Sequence, residues 1–276
     1  VDTHASIVFL APDKVLKVKR AVRLPFLDYS TLDKRKKGCE EELAVNRRYA
    51  PGLYRRVVSI TQQDHTLQID GRGRPVEWAV EMARFDERRT FDHLAGHGEI
   101  TPEIAEQLAD IMLASHRESA IAEGALWLAS FSGIIDHNTE KFRDQSSLAP
   151  KAIERLHQAS HERFAVLLPL MRARAANGFV RRCHGDAHLA NIVLIEQKPV
   201  LFDAIEFDPV IATTDVLYDL AFPLMDLVHF EESVAANRLF NRYLFATWQE
   251  NAPAFALLPL FLSVRAAIRA NVLFTR

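Results

Sequence analysis

The chain has 276 residues, with Lys plus Arg at 34 and Asp plus Glu at 36, a formal net charge of −2, which argues against a broadly basic nucleic-acid-binding surface. At 49% hydrophobic and 25% charged it has the make-up of a folded globular protein and not of a disordered chain. Two cysteines, Cys39 and Cys183, are too few for a disulfide framework or a four-cysteine zinc site. The uncharged run 251–264, which holds Pro253 and Pro259, falls short of the ~20 apolar residues that a spanning helix needs. The N-terminus lacks the basic-then-apolar pattern of a signal peptide. It also lacks an initiator Met, as expected of a trimmed or partial chain. The expectation is a soluble, cytoplasmic protein with no nucleic-acid or membrane partner.

The first 85 residues read as a small antiparallel sheet. Short alternating segments at 6–11, 14–19, 57–62, 66–69 and 76–82 are separated by turn chemistry, Pro12-Asp13 and Asp70-Gly71-Arg72-Gly73. One helix interrupts them at about 30–49, with Ser30 as its predicted cap and Asp33 three residues on. Within it, the basic run Lys34-Arg35-Lys36-Lys37 is expected to be a solvated face. A connector near 83–87 leads into a second half that is mostly helical. Thr101-Pro102-Glu103 is a helix start, with a capping hydroxyl, a proline at the first helical position and then an acid. Further helices are predicted at 136–146, 150–176, 213–229, 231–249 and 256–274, and Trp127 and Phe131 at i,i+4 are expected in the core. Only 180–203 is β-rich here. The fold class expected is α+β: a small antiparallel β lobe with one helix (1–85) and a larger, mainly helical lobe (86–276), with a ligand cleft between them.

The chemistry lies in Cys183-His184-Gly185-Asp186-Ala187-His188-Leu189-Ala190-Asn191, followed by two apolar strands, a turn at Gln197-Lys198-Pro199, and then Asp203. A hairpin of that shape returns Asp203 to Asn191, so three oxygen-bearing side chains converge: Asp186, Asn191 and Asp203. Hard cations such as Mg²⁺ prefer oxygen ligands. The spacing His-x-Asp-x-x-x-x-Asn is that of the kinase catalytic loop, whose Asp takes the proton of the attacking hydroxyl and whose Asn binds metal. That template also demands a lysine on a small-lobe strand and an acid on its helix. Lys17, within Val15-Leu16-Lys17-Val18, meets the first demand. Glu42 meets the second, with Glu41 as the alternative.

The chain resembles the aminoglycoside phosphotransferase-like kinases, of protein-kinase-like fold. The motifs that carry the resemblance are His184-Gly185-Asp186 to Asn191, Asp203, Lys17, and Asp215-Val216-Leu217-Tyr218-Asp219-Leu220-Ala221. Val22-Arg23-Leu24-Pro25-Phe26-Leu27-Asp28 and Val200-Leu201-Phe202-Asp203-Ala204-Ile205-Glu206-Phe207 resemble an uncharacterised bacterial branch that is often fused to a C-terminal P-loop ATPase or kinase domain. The resemblance implies ATP and Mg²⁺ as cofactors, Asp186 as base, and Asn191 and Asp203 as metal ligands. It implies Lys17 on phosphate and Asp219 as an anchor of the loop. His184 and His188 join the catalytic set, the first chiefly as a buttress. Met82 and Ala83, in a connector predicted at 81–84, would line the adenine site. The chain departs from the family in having no glycine between Thr3 and Asp13 to cover the phosphates. Ser6 or backbone amides near Ala11 are the substitutes considered.

The function expected is transfer of the γ-phosphoryl group of ATP to a hydroxyl of a small molecule. The alternative is a kinase-like binding or regulatory module with little catalysis. A metal-dependent phosphoesterase built on His184, Asp186 and His188 lacks the second His/Asp cluster that two metals need. On the last helix, Arg265 and Arg269 are positioned for an anionic substrate or for neighbouring acids. The helical stripe Asp136, Glu140 and Asp144 would suit a polycation or a solvated face equally.

Overall fold

The structure is a computed structural model and describes residues 5–24 and 27–274. Pro25 and Phe26 of the 22–28 motif lie outside the described residues. The small lobe is a five-stranded antiparallel sheet of order β1-β2-β7-β5-β6. It is built from β1 (Ser6–Leu10), β2 (Lys14–Lys19), β5 (Tyr54–Gln63), β6 (Thr66–Ile69) and β7 (Arg74–Ala83), close to the predicted segments. Two short strands, β3 (Arg23–Leu24) and β4 (Leu27–Asp28), precede helix α1 (Leu32–Asn46). The helix is capped by Thr31, whose hydroxyl accepts from Lys34 N, and not by the predicted Ser30. Ser30 instead donates to Asp28. Gly38 is needed in mid-helix, because a Cβ there would lie 2.5 Å from the Tyr29 ring. Arg35 also departs from expectation. It is buried, with its guanidinium on Glu77 and on the Tyr29 carbonyl, whereas Lys34 and Lys37 remain exposed and Lys36 is half-buried.

β2 sits between β1 and β7, with Lys17 opposite Val8 and Val80. Side chains alternate across a strand, so Val15, Lys17 and Lys19 point one way and Leu16 and Val18 the other. The first set faces the other lobe. The second joins Val58, Ala79 and Ile60 in a separate apolar cluster.

β7 runs through Ala83, so Glu81, Met82 and Ala83 are strand and the connector is confined to 84–86. A short 3₁₀ turn (Glu87–Arg89) follows. The helical lobe then comprises α2 (Phe91–Gly96), α3 (Pro102–Glu118), α4 (Gly124–Arg143), α5 (Pro150–Ala176), α6 (Val216–His229), α7 (Ser233–Ala246), α8 (Trp248–Asn251) and α9 (Leu258–Phe274). Thr101 caps α3, with proline at its start, as predicted. α4 begins twelve residues before the predicted 136, and it places Trp127 and Phe131 in the core with ring centroids 5.6 Å apart. The stretch Trp248–Phe274 is by length and composition apolar enough to cross a membrane. In this lobe it packs its Leu260, Phe261 and Val264 into the core.

Two small antiparallel strand pairs carry the β-rich interval. β8 (Val180–Arg182) pairs with β11 (Thr213–Asp215), and β9 (Ile192–Ile195) pairs with β10 (Lys198–Leu201). The β9–β10 turn is Glu196-Gln197, both at positive φ (48° and 61°), the signature of a tight two-residue turn. Lys198 and Pro199, predicted as turn, already belong to β10. Asp215 ends β11 and caps α6 through Leu217 N, while its carboxylate takes a two-pronged bond from the buried Arg174 at 2.6 and 2.8 Å. Arg174 also donates to Asn251. Breaking a buried pair strands a charge, so Asp215→Ala is expected to lower unfolding free energy by about 3–5 kcal/mol. Urea denaturation at constant m checks this, and a loss below about 1 kcal/mol would contradict it.

Candidate active site

Lys17 is the meeting point of the two lobes. Its Nζ is 2.9 Å from Glu42 Oε1 on α1 and donates to Asp203 Oδ1 at 2.6 Å. Burial works against the ammonium, but Asp203 and then Glu42 outweigh it and hold the Lys17 pKa well above the ordinary lysine value. The two carboxyls respond in kind: burial pushes each up, and Lys17 pulls each below the ordinary value. Glu42 is fully buried, whereas the alternative Glu41 lies on the exposed face beside Lys37.

A second tier lies behind the first. Lys19 Nζ is 2.5 Å from Glu42 Oε2 and 2.6 Å from Glu206 Oε1, and Tyr29 Oη donates to Glu206 Oε1 at 3.4 Å. Glu42 thus bridges both lysines. Burial raises the Glu206 carboxyl despite Lys19. Neither Lys19 nor Glu206 was among the sequence-predicted site residues. The period-2 spacing of Lys17 and Lys19 was the available signal, but an edge-strand charge reads the same way.

The loop 184–191 is fixed from behind. Gly185 adopts φ 83°, where a Cβ would press on Ala212 and Ile205, and its N–H donates to Asp219 Oδ1 at 2.8 Å. Asp219 Oδ2 pairs with His116 at 3.1 Å, so this residue anchors the loop from α6. Asp226, about two turns further along α6, accepts from Leu189 N at 2.8 Å, an anchor no sequence motif marked. His184 is fully buried, with Nε2 3.0 Å from the Phe202 carbonyl and its ring edge-on to Tyr49. Burial pushes its imidazole below the ordinary value. It supports the loop and has no surface on the cleft, which corrects its inclusion in a reacting set.

Asp186 faces the cleft with its side chain 38% exposed, and His188 Nε2 stands 3.5 Å from its Oδ2. Burial raises the Asp186 carboxyl, but His188 and other positive groups outweigh this and leave its pKa below the ordinary value. Asn191 Nδ2 donates to the Asp186 carbonyl at 3.0 Å and to Oδ2 at 3.2 Å. With its nitrogen committed, the amide oxygen is the atom left for a cation. Asp203 sits at φ 59°, a left-handed conformation rare outside glycine, and its N–H donates to Tyr54 Oη at 3.2 Å. Asn46 holds the next peptide from both sides, accepting from Ala204 N and donating to Ala204 O. The donor set of one carboxylate and one amide oxygen suits a hard cation such as Mg²⁺.

The cleft between the lobes is a cavity of about 680 Å³. Met82 and Ala83 line it, with Val8, Leu10 and Phe85 around them and Asp186 and Asp203 farther along. Where a glycine-rich flap was missing from the sequence, β1 itself forms the cover and turns into β2 through a tight bend. Ala11 N donates to Lys14 O at 2.9 Å in that bend, so this amide is committed and unavailable to phosphate. The stripe Asp136, Glu140 and Asp144 is exposed on α4 and takes no part in the cavity.

No family model matches the chain. In sequence it is similar to uncharacterised proteins from two strains of Mycobacterium tuberculosis and from Mycobacterium bovis, each 23% identical over 276 residues. Those matches cover 98% of this chain and 53% of each relative, so the chain spans about half the length of the curated relatives it matches. Among solved structures it is similar to an aminoglycoside-3'-phosphotransferase of type VIII, with 17% identity, a TM-score of 0.49, and coverage of 96% of this chain and 94% of that one.

Proposed function

We propose that the protein is a phosphotransferase that moves the γ-phosphoryl group of ATP, with Mg²⁺, onto a hydroxyl of a small molecule. The observation that carries this reading is Lys17, which joins Glu42 of one lobe to Asp203 of the other at the wall of an inter-lobe cavity that also holds Asp186. Asn191 and Asp203 would hold the cation, which when bound neutralises charge on the phosphate oxygens. Lys17, released in part from Asp203, supplies an ammonium to the same oxygens while Glu42 keeps it in place. The apolar end near Met82, Leu10 and Phe85 takes the base. Asp186 accepts the proton of the acceptor hydroxyl as its oxygen bonds to phosphorus and the bond to ADP breaks. A carboxylate of lowered pKa is a weak base, so most of its contribution is to orient that hydroxyl. The P-loop domain implied by the bacterial branch is part of the same proposal, as a fused neighbour in a longer protein.

One observation favours a second reading, a nucleotide-binding or regulatory module with little turnover. The β1–β2 bend commits its backbone to itself and offers no glycine-rich cradle. Calorimetry with ATP and Mg²⁺, followed by ADP release, separates the two. Binding without release over a broad panel of alcohols selects the module.

Asp186→Asn is expected to lower ADP release with a working acceptor by about 10²–10⁴-fold while the KM for ATP stays within about threefold. Unchanged turnover in this variant would remove the assigned role. Asp203→Ala is expected to abolish the Mg²⁺ dependence of nucleotide binding, read by titrating ATP with and without the cation. Lys17→Met is expected to weaken binding under both conditions. A variant at Asp203 that retains full Mg²⁺ dependence would show the cation to be held elsewhere.

A further inference from the structure

The cavity does not end at Asp186. Beyond it the wall is formed by Ile205, Phe207, Ile211, Phe222, Ile268 and Val272. Three of these come from the segment after Asp203, and two from α9, where 265, 268 and 272 recur at helical spacing on one face. Among the described residues Ile211 and Val272 keep 47% and 41% of their surface exposed, so this part of the apolar wall is open.

One charge stands in that wall. Arg265 is 5% exposed. Its Nε donates to the Tyr218 carbonyl at 3.1 Å and its Nη1 to the Gly185 carbonyl at 3.3 Å, while the guanidinium lies over the Tyr218 and Phe222 rings at 3.9 and 4.4 Å. Among the described residues no carboxylate oxygen lies within 4 Å of it, and Asp186 and Asp219 feel it only through longer-range attraction. Carbonyl dipoles and ring faces offset part of the cost of burying the cation, but a buried charge normally calls for a paired one. Arg265 also lines the cavity, next in space to the peptide that precedes Asp186.

Acids that would recognise ammonium groups are scarce here. Asp203 is engaged by Lys17, and Glu206 by Lys19. Glu87 belongs to the turn beside the connector, with Arg84 near it on the same cavity wall. Asp186 is required for the hydroxyl. Resting on the phosphotransferase reading above, we propose that the acceptor is an alcohol on an apolar body that also carries one anionic group, held by Arg265, and that polycations are rejected. The transfer forms an oxygen–phosphorus bond at the alcohol, releases ADP, and delivers the hydroxyl proton to Asp186, while the substrate anion takes no part in bond making.

The test uses four probes: 6-hydroxyhexanoate, 1,6-hexanediol, 6-amino-1-hexanol and kanamycin. Each is titrated calorimetrically into the whole chain, with and without Mg²⁺ and a non-hydrolysable ATP analogue. The hydroxy acid is expected to bind at least tenfold more tightly than the amino alcohol, with the diol between them and kanamycin silent at 1 mM. Arg265→Gln is expected to shrink the gap between acid and diol to below threefold. Ile268→Glu, at the rim of the wall, is expected to reverse the order of acid and amine even if the Arg265 variant folds poorly. Equal or tighter binding of the amino alcohol or kanamycin overturns the proposal. So does silence of all four while the nucleotide analogue binds. Absence of nucleotide binding removes the phosphotransferase reading instead, and the preference of the cavity is then read from the titrations without nucleotide.

Discussion

An ammonium buried between carboxylates from two lobes has only one low-energy arrangement. Lys17 cannot leave the fully buried Glu42 without stranding a charge, at a cost of several kcal/mol, whereas Asp203, with 40% of its side chain exposed, is the exchangeable partner. The position of α1 against the sheet, the seat of the β9–β10 hairpin and the separation of the lobes are therefore linked through one side chain. Lys19 extends the same logic one step along β2. By sharing Glu42 with Lys17 and reaching Glu206, it ties the backbone on both sides of Ala204 to the small lobe. The cleft is consequently a charge-balanced surface in which any incoming cation or phosphate must replace an existing partner.

The loop that presents Asp186 is rigid for a different reason. Its peptide groups are bonded to carboxylates that arrive from α6: Asp219 takes Gly185 N and Asp226 takes Leu189 N. Asn191 closes the loop on Asp186 itself, and His184 props it against the start of the Asp203 segment. Holding polar groups in place before a substrate arrives is what lowers the cost of reorganisation during reaction. The left-handed Asp203 and Gly185 mark where the backbone is bent to achieve it. Strain of this kind persists only where neighbouring contacts over-determine the conformation, and Tyr54, Asn46 and Asp219 supply those contacts.

The cavity is divided by chemistry. At the connector end, Met82, Phe85, Val8 and Leu10 form an apolar slot under the β1–β2 hairpin. The middle is a band of paired charges. At the far end the wall becomes apolar again around Arg265. This order follows from topology: the small sheet contributes the first region, the two facing carboxylate-bearing segments the second, and the C-terminal helix the third. The chain spans about half the length of the curated relatives it matches.

Much of this was legible from residue order alone. Strand alternation located the five-stranded sheet, Thr101-Pro102 marked a helix start, and the spacing from His184 to Asn191, with Asp203 after a hairpin, named the convergent side chains. These signals are local: they depend on period, cap and turn, which adjacent residues encode. What adjacent residues do not encode is which charges pair over long separations. Glu42 was separable from Glu41 only once α1 packed one of them inward. Arg35, read as solvated, was drawn into the core by Glu77. Lys19, Glu206, Asp226 and Asn46 acquired roles only through partners 37 to 187 positions away. The start of α4 escaped notice because Gly124 and the mixed run after it carry no cap, and the helix is held by packing on α5. Burial decides these cases, since an unpaired charge costs little in water and much inside a cleft, and burial is a property of the assembled lobes.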